Sequence, residues 1–200
     1  MIDVVHTEST GAIDILQRSF QMQHTPQTDV GVIGLGLLGT ALCERLQSRG
    51  YTAWGLDIDP ARRRHHTDQE RPLATGVDDL TASCSRIILS LPDATISLQV
   101  IADLASSLAP GAIVIDTTTG GPKQMQACGK RLEEKGVRYL DATVGGSSLQ
   151  VRQGAAIVMV GGAPTTVIDC RDLLDCFASR TFHLGPVGSG ARMKLALNLV

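Results

Sequence analysis

Aromatic residues are scarce in this sequence: phenylalanine, tryptophan and tyrosine together make up only 3% of its 200 residues. Proteins that bind single-stranded nucleic acid stack bases on such rings, so this class of site is disfavoured. Basic residues do not outnumber acidic ones either, and the formal net charge is -2. Because nucleic-acid-binding domains carry a basic patch or stripe, we expect a chain that binds no nucleic acid.

Long apolar runs are also missing. No stretch approaches the roughly 20 apolar residues that a helix needs to cross a bilayer, and residues 1–28 contain no apolar core like that of a signal peptide. The five cysteines form no CxxC pair and no metal-ligand spacing. We therefore expect a cytoplasmic protein with reduced thiols, no membrane contact and no metal.

The sequence does contain a regular alternation of short apolar runs and longer amphipathic segments from Asp29 onward. The apolar runs predict buried parallel strands, and the segments between them predict helices. This alternation predicts an α/β fold with a Rossmann-like, doubly wound, mainly parallel sheet. The predicted strands are 30–33, 52–56, 86–91, 112–115, 137–140, 155–160 and 181–184. The predicted helices are 37–49, a short one from 60, 94–108, 122–135, 164–177 and one from 189.

A glycine-rich loop joins the first predicted strand to the first predicted helix: Gly34-Leu35-Gly36-Leu37-Leu38-Gly39. The first glycine permits a tight turn, the second lets the backbone approach a pyrophosphate, and the third lets helix and strand pack closely. The helix N-terminus supplies free N–H groups and a partial positive charge. Because the loop lies between a strand and a helix, the sequence predicts a dinucleotide-binding site here.

An acidic residue at the end of the second predicted strand refines this prediction. Asp57 lies about 20 positions beyond the loop, where a carboxylate accepts hydrogen bonds from the adenosine ribose hydroxyls. It would repel a 2′-phosphate, so NAD is favoured over NADP. Arg62, Arg63 and Arg64 keep NADP as the less favoured alternative, and FAD and S-adenosylmethionine use similar loops.

Four further segments follow in order: Leu91-Pro92-Asp93, Asp116-Thr117-Thr118-Thr119, Asp141–Ser147, and Gly188–Lys194 with Asn198 after it. Together with the glycine loop they resemble the motifs of the β-hydroxyacid dehydrogenase family, such as 3-hydroxyisobutyrate dehydrogenase, tartronate semialdehyde reductase and the NAD-binding domain of 6-phosphogluconate dehydrogenase. The resemblance covers roughly residues 29–200. It implies an oxidoreductase that transfers a hydride between NAD(P) and a small 3-hydroxy acid or semialdehyde.

The resemblance also implies a role for each matching residue. The cofactor-binding positions are Gly34, Leu35, Gly36, Leu37, Leu38, Gly39, Asp57, Leu91, Pro92 and Thr119. The substrate-binding positions are Thr118, Gly145, Gly146 and Ser147. The catalytic positions are Lys194 and Asn198. In the reaction a lysine relays the hydroxyl proton and holds the developing oxyanion, and the i, i+4 spacing puts Lys194 and Asn198 on one helix face.

The sequence departs from the family pattern at three places. The Ser-Gly-Gly of the family is replaced by Gly145-Gly146-Ser147, the proline before it by Thr143, and the first of two adjacent asparagines by Leu197. These departures bear on the identity of the substrate more than on the reaction class.

We divide the chain into an N-terminal extension (1–28), a dinucleotide-binding domain (29–187) and the start of an interdomain catalytic helix (188–200). The extension is interpreted as a loosely attached leader, with a short helix near Ile13–Phe20 as the alternative. Family members continue into an all-helical second domain that closes the active site and forms the dimer. We expect that domain to be missing here, so that the chain binds dinucleotide but turns over substrate poorly or not at all, and the full-length protein to be a homo-oligomer.

Two other functions are compatible with the same motifs. An imine reductase has a similar fold but usually lacks the lysine, so Lys194 argues against it. A non-catalytic dinucleotide-binding module, like chromatin-associated relatives that have lost the lysine, is the second. Lys194 favours catalysis there too, whereas the expected lack of the second domain favours the binding module for this 200-residue chain.

Overall fold

A seven-stranded sheet organises residues 28–199, the part of the chain that the computed structural model describes. Its strands are β1 (Asp29–Ile33), β2 (Thr52–Leu56), β3 (Arg86–Leu89), β4 (Ile113–Asp116), β5 (Arg138–Gly145), β6 (Ala156–Gly161) and β7 (Ala178–His183). The predicted extension, with its alternative helix near Ile13–Phe20, lies outside the described residues except for Thr28.

The strand order is β2-β1-β3-β4-β5-β6-β7. The first five strands are mutually parallel, β6 is antiparallel to β5, and β7 is parallel to β6. A parallel connection needs a crossover of a dozen or more residues. Between β5 and β6 the chain has room only for a six-residue helix, so it turns back. The predicted doubly wound, mainly parallel sheet is confirmed.

Helices cover both faces of this sheet and form two hydrophobic cores. The helices are α1 (Leu37–Ser48), α2 (Pro60–Thr67), α3 (Val77–Ser83), α4 (Ala94–Ser107), α5 (Pro122–Glu133), α6 (Ser148–Gln153), α7 (Pro164–Asp169), α8 (Arg171–Phe177) and α9 (Ser189–Leu197). One core lies between the sheet and α1, α6, α7 and α8. The other lies between the sheet and α3, α4, α5 and α9. Alternate strand residues point into the two cores, which is why the strands are apolar throughout.

Three details differ from the sequence-based prediction. Helices α3 and α6 were not predicted. The helix predicted over 164–177 is two helices, because the backbone at Cys170 (φ −105°, ψ 3°) breaks it. Helix α7 contacts β5 whereas α8 contacts β7 and α1, so one straight helix could not make both sets of contacts. Strand β5 continues beyond Leu140 to Gly145, because the carboxylate of Asp141 finds buried N–H partners.

The position of β1 in the sheet creates the crevice in which a ligand can lie. From β1 the chain passes to β2 on one side, and β3 lies on the other side of β1. At such a point the loops after the strands diverge and leave a crevice at the carboxyl ends of the strands. The glycine loop follows β1 at this crevice.

Candidate active site

The three glycines of the loop after β1 differ in what surrounds them. Gly34 has a φ of +94°, and a Cβ there would lie 2.2 Å from the carbonyl oxygen of Ser90. Gly39 is in the first turn of α1, and a Cβ there would lie 1.8 Å from the carbonyl oxygen of Gly34. At Gly36 the nearest atom to a Cβ would be Nη1 of Arg62, 3.9 Å away. The backbone at Gly36 therefore faces open space that a phosphate group can enter.

The N-terminus of α1 points its amides at the same space. Gly36 is the N-cap residue, and no side chain caps the helix there. The first amides of a helix have no partner within the helix, so those of Leu37 and Leu38 are available to an anion. Together with the helix dipole they form an anion-binding site of the kind that holds dinucleotide phosphates.

Asp57 is tied into the loop by its carboxylate. Leu35 donates its backbone N–H to Oδ2 of Asp57 at 2.7 Å, and Asp59 donates its N–H to Oδ1 at 2.8 Å. Nη1 of Arg62 lies 3.5 Å from Oδ2 of Asp57, and Nε of Arg62 lies 3.5 Å from Oδ2 of Asp59. The Asp57 side chain is only 4% exposed whereas that of Arg62 is 49% exposed. Asp57 therefore braces the loop, and Arg62 offers a cation at its rim.

One cleft of about 640 Å³ joins these features. Its lining includes Gly34, Gly36, Leu37, Leu38, Asp57, Arg62, Leu91, Pro92, Thr118 and Thr119. The remainder of the lining comes mainly from apolar side chains of α3 and α4 and the strand ends, among them Val77, Ile96 and Val100. Leu35 and Gly39 are buried behind this surface. The cleft thus brings together most of the predicted cofactor-binding residues and one predicted substrate residue, Thr118.

A buried chain of hydrogen bonds supports the far wall of the cleft. Leu91 donates its N–H to Oγ1 of Thr118 at 3.1 Å, and Thr118 donates its own N–H to Oδ1 of Asp116 at 2.9 Å. Oδ2 of Asp116 accepts the hydroxyl of Tyr139 at 2.9 Å. Burial raises the pKa of the Asp116 carboxyl, and burial followed by the nearby Asp116 charge raises that of Tyr139. Thr118 is only 2% exposed, so it acts on the cleft mainly by holding Leu91 in place.

The predicted substrate loop lies at the end of β5 and not in the lining of this cleft. Gly146 has a φ of +124°, and a Cβ there would lie 2.9 Å from Oε1 of Gln150. The hydroxyl of Ser147 accepts the N–H of Gln150 at 3.3 Å, and Gln150 in turn accepts the N–H of Ser147 at 2.8 Å. The Ser147 side chain therefore caps α6.

Lys194 and Asn198 lie on α9, which packs against β5 and β6. Neither is among the described residues that line the cofactor cleft. Lys194 is half-buried, and Asn198 is the exposed C-cap, donating its N–H to the carbonyl of Lys194 at 3.1 Å. Oγ1 of Thr143 lies 3.2 Å from the carbonyl oxygen of Gly190, one turn before Lys194.

The first turn of α9, which precedes Lys194, lies directly on β5 and β6. A Cβ on Gly161 would meet the backbone N of Ser189, and a Cβ on Gly190 would meet the carbonyl oxygen of Met159. Gly161 and Met159 pair with Asp141 and Thr143 of β5, the strand that ends at Gly145. Lys194 follows on the next turn of the same helix.

Several residues of this region were not singled out by the sequence. Asp116 and Asp141 are partners in the β4–β5 register and both are fully buried. Their sequence signal is a charged residue next to an apolar run, which is also typical of the end of a strand. Tyr139 gives no such signal, since a tyrosine is an ordinary strand residue. Thr143 is marked in the sequence only as a departure from the family pattern.

A family model described as the NAD binding domain of 6-phosphogluconate dehydrogenase matches residues 29–185. The mitochondrial 3-hydroxyisobutyrate dehydrogenase of Rattus norvegicus is 29% identical over 177 residues, which are 87% of this chain and 53% of the rat protein. This chain belongs to the β-hydroxyacid dehydrogenase family. Its described residues from Asp29 onward include an NAD(P)-binding domain, and it spans about half the length of the curated relatives it matches.

Solved structures share the fold. A 3-hydroxyisobutyrate dehydrogenase of Mycobacterium tuberculosis, described with L-serine, has a TM-score of 0.83 and 23% identity over 86% of this chain and 59% of its own. An imine reductase variant of Myxococcus stipitatus, described with NAD⁺, has a TM-score of 0.80 and 22% identity over 86% of this chain and 60% of its own. At these identities the likeness concerns the fold alone.

Residues 28–199 also bear on membrane and metal binding. No helix in this part of the chain combines the length and apolarity that a bilayer crossing needs. The same residues contain no group of three or more histidine, cysteine, aspartate or glutamate side chains that could hold a metal ion.

Proposed function

We propose that this chain carries the cofactor-binding part of an NAD(P)-dependent oxidoreductase that transfers a hydride between the nicotinamide and a small 3-hydroxy acid or its semialdehyde. The observation that carries the proposal is the packing of α9, the helix that contains Lys194, against β5, the strand that ends at the glycine turn of Gly145 and Gly146. The same sheet edge holds the dinucleotide cleft. A dinucleotide module without chemistry would have no use for a cation at this place.

The open backbone at Gly36 and the uncapped start of α1 fit a pyrophosphate. In this arrangement Leu91 and Pro92 line the nicotinamide side, with Thr118 fixing the backbone of Leu91. The bound dinucleotide supplies the hydride acceptor or donor. The apolar side chains of the cleft exclude water from it.

Lys194 is proposed to handle the proton. Oxidation of a secondary alcohol builds carbonyl character while the hydroxyl proton leaves, and an ammonium or amine at this oxygen both relays the proton and stabilises negative charge. Asn198, one turn later, is proposed to orient Lys194 or the substrate oxygen. The backbone amides of Gly145 and Gly146 are proposed to receive the substrate carboxylate, because the Ser147 hydroxyl is used by the cap of α6.

NAD is proposed as the preferred cofactor. The Asp57 carboxylate, at the end of β2, would repel a 2′-phosphate. Arg62 partly neutralises this carboxylate and lines the cleft, so NADP is proposed to bind more weakly and not to be excluded. A cytoplasmic location stays a prediction, with which the five free, buried cysteines are compatible. Assembly of the whole protein into homo-oligomers stays a prediction.

The test is a screen of the whole protein that contains this chain, with NAD and NADP, against small 3-hydroxy acids. Turnover is measured by the absorbance of reduced nicotinamide. Lys194→Ala is expected to lower turnover at least about 100-fold while cofactor affinity, measured by calorimetry, stays within about twofold. Lys135→Ala, an exposed lysine near the end of α5, is the matched control and should behave as the parent chain.

Two outcomes would contradict the proposal. If Lys194→Ala turned over as fast as the Lys135→Ala control, Lys194 would not be the proton-transfer group. If cyclic imines were reduced and no hydroxy acid were oxidised, the imine reductase alternative would replace it.

A further inference from the structure

Asp141 joins β5 to the beginning of α9. Its carboxylate is fully buried and accepts the N–H of Gly188 at 2.7 Å on Oδ1 and the N–H of Ala191 at 2.8 Å on Oδ2. Both donors belong to the first turn of α9, where backbone amides lack partners within the helix. A strand residue distant in sequence thus takes the place of an N-cap side chain, which Gly188 does not have.

Thr143 makes a second contact two residues further along the same strand. Its buried hydroxyl lies 3.2 Å from the carbonyl oxygen of Gly190 and 3.4 Å from that of Met159, so the shorter contact is to the helix. In an α-helix the Gly190 carbonyl also accepts the N–H of Lys194. Thr143 therefore touches the hydrogen-bonded turn that ends at Lys194. The family motif has proline at this position, and proline has no hydroxyl to donate.

Two glycines bring the helix close enough for these contacts. A Cβ on Gly190 would lie 2.4 Å from the carbonyl oxygen of Met159, and a Cβ on Gly161 would lie 2.3 Å from Oδ1 of Asp141. The backbone of α9 thus lies directly on β5 and β6, with no side chain between them at this point. Because the helix and the sheet are so close here, a change in the contacts of Asp141 or Thr143 shifts the position of α9 on the sheet.

We propose that Asp141 and Thr143 are positioning residues that hold the first turn of α9 on β5 and thereby set the position of Lys194. Asp141 accepts two N–H groups at the start of the helix, and Thr143 contacts a carbonyl oxygen of its first turn. The proposal rests on the proposed function of Lys194. Asp141 fixes where the helix begins. Thr143 fixes the turn that carries the lysine.

The first arm of the test does not depend on enzyme activity. Amide hydrogen exchange is measured by NMR for the parent chain, Thr143→Val, which keeps the shape without the hydroxyl, and Thr143→Ser, which keeps the hydroxyl. Exchange of the Lys194 amide is expected to be about fivefold faster in Thr143→Val, as for the loss of one hydrogen bond, and to return toward the parent rate in Thr143→Ser. The Thr118 amide, held by Asp116 on another part of the sheet, serves as the internal reference and should not change.

Asp141→Asn is the second variant of this arm. An amide offers one acceptor oxygen, so its NH₂ group would face one of the two helix amides. Exchange at Gly188 or Ala191 is expected to be at least about tenfold faster, with the Thr118 amide unchanged. Positioning by Thr143 would be overturned if the Lys194 amide exchanged at the same rate in the parent chain, Thr143→Val and Thr143→Ser. It would also be overturned if the exchange of the Thr118 amide became faster by the same factor as that of Lys194.

The second arm measures turnover with the hydroxy acid found in the screen. Thr143→Val is expected to lower kcat about fivefold with the KM for cofactor unchanged, and Thr143→Ser is expected to recover most of kcat. A loss confined to KM for cofactor would overturn the assignment. If the whole protein oxidised no hydroxy acid, the proposed function would fail, while the exchange measurements would still decide whether Asp141 and Thr143 set the register of α9.

Discussion

Two glycines of the phosphate loop serve different purposes, one in cofactor binding and the other in folding. Gly36 has a φ of −68° and a ψ of −165°, which any residue adopts, and no atom lies closer than 3.9 Å to a Cβ built there. Gly39 in contrast has the carbonyl oxygen of Gly34 at 1.8 Å. The two positions are three residues apart and differ in role: Gly36 leaves room for a ligand, and Gly39 leaves room for the backbone of the protein itself.

We therefore predict opposite results for two alanine substitutions. Gly36→Ala should unfold in urea within about 1 kcal/mol of the parent chain but bind NAD at least about tenfold more weakly, because the methyl group occupies the pyrophosphate position. Gly39→Ala should lower the free energy of unfolding by about 2 kcal/mol or more, since backbone must move. Urea titration and calorimetry measure both quantities. Unchanged NAD affinity in Gly36→Ala would contradict the placement of the pyrophosphate.

Arg62 is the residue that decides how strictly the cleft distinguishes the two nicotinamide cofactors. It is the cation that contacts both Asp57 and Asp59 and lines the cleft. Arg62→Gln should lower NADP affinity about tenfold, because a charge-assisted contact to the 2′-phosphate is lost, and leave NAD within about threefold. Arg64→Gln, an exposed neighbour outside the cleft lining, is the control. Equal losses for both cofactors would show that Arg62 serves the shared pyrophosphate.

At the scale of elements, His66 connects α2 to the edge of the sheet. Its Nε2 lies 3.0 Å from the carbonyl oxygen of Pro72, and its ring fills the space over Gly55 of β2. Burial lowers the pKa of His66 below its ordinary value of 6.5, against the opposing effect of the contact with Pro72. The folded protein therefore favours the neutral ring.

The sign of the resulting pH dependence follows from this direction. As pH falls below 6.5, the unfolded chain takes up the proton before the folded one, so the contribution of His66 to stability is complete above pH 6.5 and is lost below it. Urea unfolding at several pH values should show a smaller drop between about pH 7.5 and about pH 5.5 in His66→Gln than in the parent chain. Equal slopes in the two chains would contradict a neutral, buried His66.

At the scale of the whole molecule, the five cysteines are divided between the two hydrophobic cores. Cys43, Cys170 and Cys176 lie in the core on one face of the sheet, and Cys84 and Cys128 lie in the core on the other. Burial raises the pKa of Cys43, Cys84, Cys128 and Cys170 to about 12, so their reactive thiolate forms are nearly absent at neutral pH.

We predict that all five thiols are unreactive toward a disulfide reagent in the native protein and become reactive together when urea unfolds it. Because the sheet is shared by the two cores, neither should open alone. Labelling at increasing urea, compared with circular dichroism, checks this. Reaction of the Cys84 and Cys128 pair before the other three would show that the two faces unfold separately.

Much of the fold followed from local patterns. Apolar runs such as 30–33 and 52–56 are buried strands because both faces of a parallel sheet are covered, and the phosphate loop lies between a strand and a helix as its spacing predicted. Short α3 and α6 escaped prediction because a helix of six or seven residues has too few turns to show a periodic apolar face.

The sequence by itself determined the alternation of strands and helices, the parallel sheet, the place of the glycine loop and the family, because these depend on the order and spacing of residues along the chain. Only the tertiary structure decided how far β5 runs, since Asp141 is tolerated inside it by N–H donors from Gly188 and Ala191. It also decided that Thr118 braces Leu91 and that the first turn of α9 lies against Thr143 of β5. These features depend on groups far apart in sequence, whose meeting no local pattern encodes.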